Sequence, residues 1–118
     1  MSDPLDYCRD ILVADAPTVA LVADRVEYII KPQDLTIPCL ALQTVSTAPV
    51  NGLVAFAGLD GSIVQVDCYA ATYTDALALA AVARAALEAA GVLCAAQFTN
   101  YDPDIEQHRI TLQFNVWL

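Results

Sequence analysis

Hydrophobic and polar residues alternate from Ser62 to Ala70, which predicts a strand. Val64, Val66, Cys68 and Ala70 fall on one side; Ile63, Gln65, Asp67 and Tyr69 fall on the other. The pattern changes after a turn at Ala71, Thr72 and Tyr73, and residues from Thr74 to Ala90 read as one long alanine-rich helix. Thr72 with Asp75 three residues on fits a helix N-cap, and Gly91 fits the residue that ends the helix in positive φ. Asp75, Arg84 and Glu88 are the only charges of this helix, and no polar residue lies between Ala76 and Ala83. A helix apolar all round needs cover on more than one side. The sheet supplies one cover, and a second subunit is the expected other.

Pattern and breaker residues predict the remaining elements. Asp3 to Ala14 reads as a first helix, with Pro4 in its first turn and Leu5, Cys8, Ile11 and Leu12 at helical spacing. Asp15, Ala16 and Pro17 break it, and Thr18 to Ala23 reads as one or two further helical turns. Arg25 to Lys31 alternates as a strand with Val26, Tyr28 and Ile30 on one side, and Cys39 to Thr47 is a second strand. Ala48 to Gly61 carries turn signals at Pro49, Asn51-Gly52, Gly58 and Asp60-Gly61. Between them, Leu53, Val54 and Phe56 are too apolar for an ordinary exposed loop. Either they fold back on the core or they insert into a neighbour. Val92 to Thr99 and Arg109 to Leu118 are further strands, separated by an acidic turn at Asn100 to Asp104. In the last strand Ile110, Leu112, Phe114, Val116 and Leu118 face one way. Consecutive strands with few helices predict an α+β fold, a mostly antiparallel sheet with two main helices on one face. No linker or repeat divides the chain, so residues 1–118 form a single domain.

Composition sharpens this picture. Hydrophobic residues make up 58% of the chain and charged residues 16%, a sparse charge for the surface of a monomer. Fourteen acids against five bases give a net charge of −9, which disfavours nucleic-acid binding and supplies no basic stripe. No basic-plus-apolar start and no long apolar run is present, so neither secretion nor membrane insertion is expected. Cys8, Cys39, Cys68 and Cys94 lack Cys-x-x-Cys spacing. An even count permits disulfides, but reduced thiols acting as small hydrophobes are the expected state.

Candidate chemistry is thin. His108 is the single histidine. Asp102, Asp104, Glu106 and His108 alternate and could share a strand face, but they lack the glycine and ligand spacing of a calcium loop. A Cys–His dyad of Cys68 or Cys94 with His108 would need exposed thiols, whereas these lie among apolar neighbours. No phosphate loop, dinucleotide turn or nucleophile elbow occurs. The expectation is a protein that is not an enzyme and needs no cofactor or metal.

Residues 64–80, VQVDCYAATYTDALALA, resemble the strand-to-helix signature of the tail-completion, or tail-terminator, proteins of long-tailed bacteriophages. Residues 11–26, ILVADAPTVALVADRV, are similar to that family's opening helix and entry to the first strand. Pro38, the run Tyr101 to Asp104 and the close Phe114 to Trp117 fit as well. Asn51 to Gly61 departs from the family, being short and apolar where a longer polar insert is common.

The resemblance implies a structural virion protein of the tail, present in the host cytoplasm during assembly. It implies a ring, typically a hexamer, on the head-proximal end of the tail tube. That ring stops tube growth and offers a surface to the head. The implied partners are further copies of the chain, the tail tube protein and a head-completion or connector protein. No membrane and no specific nucleic-acid partner is implied, although DNA can pass through the lumen. The candidate subunit interface is Leu53, Val54 and Phe56 together with Leu77, Leu79, Val82 and Leu87 of the long helix. The competing readings are another head–tail connector or minor tail protein, a small dimeric ligand-binding α+β module, and a hydrolase using Cys68 and His108.

Overall fold

A computed structural model describes residues 4–23, 25–28, 38–49, 60–102 and 107–117. Chain order is α1 (Pro4–Ala14), α2 (Ala16–Val22), β1 (Val26–Tyr28), β2 (Cys39–Pro49), β3 (Asp60–Ala70), α3 (Tyr73–Ala89), β4 (Leu93–Asp102) and β5 (Gln107–Trp117). The fold is α+β. The five strands of the described residues form one sheet in the order β1-β2-β3-β5-β4, antiparallel throughout except that β1 runs parallel to β2. Among the described residues there are three helices, because the turns expected after Pro17 form α2.

Local chemistry starts each helix. Asp15 caps α2: its Oδ2 accepts from the Thr18 backbone N–H at 3.1 Å and from the Thr18 hydroxyl at 2.7 Å. Thr72 caps α3 by accepting from the Asp75 N–H at 3.1 Å, and Asp75 complements the positive end of the helix. At the other end Gly91 has φ +88°, where a side chain would be strained.

The strand alternation sets the core. Leu40, Leu42, Val64, Val66, Cys68, Ile110, Leu112, Phe114 and Val116 are buried beneath the helices. Cys8 and Leu12 of α1, Val22 of α2 and the inner face of α3 close over them. Asp6 accepts a hydrogen bond from the Tyr28 hydroxyl, and the Arg9 Nε donates to the Val26 carbonyl at 3.0 Å, so α1 is tied to β1. The opposite side of the sheet carries a smaller buried set: Cys39, Ala41, Asp67, Tyr69 and Thr111.

Three boundaries differ from the sequence expectation. Asp60-Gly61 is not a turn but the start of β3, held by pairing with Pro49 and Ala48. Likewise Asn100, Tyr101 and Asp102 are not a turn; they extend β4 by pairing with Arg109, His108 and Gln107. His108 therefore sits within β5 and not before it. In each case cross-strand pairing outweighs local turn preference. Leu53, Val54, Phe56, Ile30, Asp104 and Glu106 lie outside the described residues.

Candidate functional site

The long helix α3 has two distinct sides. Ala76, Leu79, Ala80, Ala83, Ala86 and Leu87 are buried in the chain's own core. Leu79 is 1% exposed and Leu87 0%, so neither is available to a partner. That corrects their place among the candidate interface residues: their helical phase points them onto Phe114's side of the sheet, where the core closes. Leu77 is 40% exposed, and Val82 is partly buried against the core cluster. Around them Ala78, Ala81, Ala85 and Ala89 are exposed. The outer side is thus a shallow strip of methyl groups, with the Arg84–Glu88 pair, 3.1 Å apart, as its charged feature. Its small side chains let another backbone approach closely.

Beside this strip runs a groove of about 520 Å³ between α3 and the α1–α2 junction. Ile11, Ala14 and Pro17 form one wall; Ala81, Val82, Ala85 and Ala89 form the other, and Asp15 is the only charged lining residue. Asp15's carboxylate is already engaged as the α2 cap. A second groove of about 290 Å³ lies between Leu21, Pro38, Ala70, Ala71, Asp75, Ala78 and Leu79. It too carries a single charge. Neither offers the converging polar groups that orient a small-molecule substrate.

The residues considered for catalysis are dispersed. His108 is packed between two rings, with centroids 4.9 Å from Tyr101 and 6.3 Å from Tyr73. Cys68 is fully buried on the helix side of β3, and burial, with Asp67 and Cys39 adding to it, raises its thiol well above the ordinary value. Burial likewise pushes Cys8 and Cys39 up to about 11. At Cys39 the nearby Arg25 works against this shift and Glu27 with it. Cys94 donates its S–H to the Ala96 carbonyl at 3.3 Å. All four thiols are free, and none is a poised nucleophile beside His108. Among the described residues no group of three or more His, Cys, Asp or Glu is placed to hold a metal ion. None of the described helices is long and apolar enough to cross a membrane.

One polar cluster has no counterpart in the sequence reading. Asp67 is 7% exposed on the sheet face away from the helices. Its Oδ1 accepts from the Thr111 hydroxyl at 2.6 Å, and the Gln65 amide reaches both carboxylate oxygens at 3.2 Å. Beside it burial raises the Tyr69 phenol, while a hydrogen bond from Arg109 lowers it. These bonds satisfy the cluster internally, so it stiffens the pairing of β3 with β5. Alternation alone placed Asp67 on an outer face and carried no sign of its burial.

Among the described residues this α+β domain presents a methyl-lined helix face and no cluster of reactive side chains. Residues 8–118 match the family model described as Tail completion protein gp17, and the chain belongs to that family. It is a family of structural components of phage-like virions, not of enzymes. Among solved structures, the fold is similar to a chain in the virion of a native gene transfer agent (GTA) particle, with a TM-score of 0.72. The two chains are 21% identical, and the match covers 97% of this chain and 92% of the other. Comparison with curated protein sequences finds no match.

Proposed function

We propose that this protein closes into a ring at the head-proximal end of a tail tube, where it ends tube growth and presents the surface to which the head joins. The observation that carries the reading is the outer side of α3. Leu77, Ala78, Ala81, Ala85 and Ala89 stand uncovered beside an apolar groove, in a chain of a tail completion family. A closed ring uses two different patches on each subunit. The α3 strip with Leu77 and Val82 is one candidate, and Leu53, Val54 and Phe56 are retained as the other. Further copies, the tube protein and a head connector are the partners in this reading. The net charge of −9 suits a lumen through which DNA passes without being held.

Tube assembly in the presence of this protein tests the proposal. Purified tube protein should stop growing when the chain is added, with the added protein found at one end only. A Leu77→Glu/Ala85→Glu variant should fold normally and lose that effect. Tubes that grow to the same length with and without the protein would refute the terminator role. Binding to empty heads alone would instead favour a head-completion connector.

A further inference from the structure

An irregularity in β4 aims two apolar side chains the same way. Leu93 and Phe98 stand at an odd spacing, which in a regular strand would put them on opposite faces. The pairing of β4 with β5 skips a residue between Cys94 and Ala96. Leu93 therefore pairs with Asn115 and Phe98 with Thr111, so both lie on the Asp67 face of the sheet, away from the described helices. A bulge that redirects a side chain in this way is a built feature of a strand. The subunit itself leaves both side chains uncovered. Leu93 is 64% exposed, more than any other large hydrophobic residue described, and Phe98 is 50% exposed. Across β3, β5 and β4 the rows from Asn115 to Thr111 add Ile63, Gln65, Gln113, Asn115 and Ala96 to this face. The single charge there is Asp67, which is buried and held by Thr111 and Gln65. In a chain of net charge −9, such an uncharged platform is where a second acidic copy can approach without repulsion.

We infer that this sheet face of one copy, led by Leu93 and Phe98, seats on the groove between α3 and the α1–α2 junction of the next copy, so that α3 lies between two sheets. The inference rests on the ring reading and adds a second patch to the α3 strip. The groove opens on the outer side of the helix layer, because its α3 wall is formed by the exposed Ala81, Ala85 and Ala89. It is a recess of about 520 Å³ whose one charged lining residue, Asp15, is engaged as the α2 cap. The nearby Arg84 and Glu88 neutralise each other at 3.1 Å. Each copy thus carries an apolar recess on one side and two apolar knobs on the opposite side. Their lengths agree. Leu93 and Phe98 pair with Asn115 and Thr111, four residues apart on β5, which is about 14 Å of strand. The wall from Ala81 to Ala89 spans about 12 Å of helix. The contact joins two different surfaces and is heterologous; a constant rotation between successive copies closes it into a ring. It also gives α3 the second cover that a helix apolar all round needs.

The test places charge on each half of the contact in the full chain. Phe98 and Ala85 are both exposed, so Phe98→Lys and Ala85→Glu should each leave the melting temperature of the subunit near that of wild type. The mass of each protein is measured by sedimentation, alone and with tail tubes. The expected result is rings for wild type and monomer for either single variant under the same conditions. Combining Phe98→Lys with Ala85→Glu in one chain sets opposite charges across every contact and should restore rings, a rescue that general destabilisation would not give. If the lysine variant melts below wild type, Phe98→Ser removes the knob without adding charge and should also lose the ring. Rings formed by the single variants as readily as by wild type, or no rescue in the combined variant, would overturn the seating of sheet on helix and leave the ring standing. Wild type that forms no ring in either setting would overturn both.

Discussion

Leu77 and Leu79 are two residues apart on α3 and chemically identical, yet the structure gives them opposite duties. Leu79 is 1% exposed and Leu77 is 40% exposed. Truncating Leu79 to alanine removes buried methyl groups and leaves a cavity in the core cluster to which it belongs. The cost should be about 3 kcal/mol, within the range for leucines in closed cores. For a domain of 118 residues, that corresponds to a drop in melting temperature of about 10–15 °C. Leu77→Ala touches solvent and should cost under about 0.5 kcal/mol of subunit stability. Its effect belongs to assembly: the variant should cap tail tubes less well than wild type at equal concentration. Thermal unfolding of the monomer, followed by circular dichroism and paired with a tube-length assay, separates the two effects. Equal destabilisation by both substitutions would refute the two-sided reading of α3. So would a Leu77→Ala variant that melts far below wild type.

Other predictions probe the scaffold. Thr72→Ala should cost about 1 kcal/mol by uncapping α3, read as a lower denaturant midpoint. Gly91→Ala meets no atom within 4 Å of the new Cβ, so any loss comes from backbone strain at φ +88°; about 1 kcal/mol is expected. Native alkylation followed by mass spectrometry should modify Cys94 first, while Cys8, Cys39 and Cys68 react only on unfolding. Rapid labelling of Cys39 would show that the sheet face away from the described helices is open. Cys8 and Cys39 are raised from 9.0 to about 11, so they keep their protons in the folded state at pH values where the unfolded chain loses them. Their contribution to stability is therefore complete below pH 9 and declines as pH rises through about 11. Chemical denaturation at pH 8, 9.5 and 11 should show that fall, and substitution of both cysteines by alanine should reduce it, with buried Cys68 sustaining the remainder.

Much of this architecture is legible in local pattern. The inward set of β3, the cap at Thr72, the stop at Gly91 and the clean alternation of β5 all rest on signals within a few residues. What local pattern misses depends on distant partners. Asp60-Gly61 has turn chemistry, but its pairing with Pro49 and Ala48 makes it strand. Asn100 to Asp102 reads as an acidic turn until Gln107 to Arg109 lie beside it. The buried Asp67 finds its strongest partner, Thr111, 44 positions away. The parallel approach of β1 to β2 has no short-range signature at all. At the candidate site the limit is different. Alanine and leucine fill α3 so evenly that hydropathy conceals which residues face inward. For that reason hydropathy groups Leu79 and Leu87 with Leu77 and Val82, although spacing from Ala76 through Leu79, Ala83 and Leu87 traces the buried face.

The central claim is that copies of this chain close around an axis on the end of a tail tube. Electron microscopy of the purified protein, alone and mixed with tail tubes, tests it most directly. The account predicts closed rings of one size, with a single ring seated on one end of each tube. Monomers in both preparations, with tube ends left bare, would contradict it.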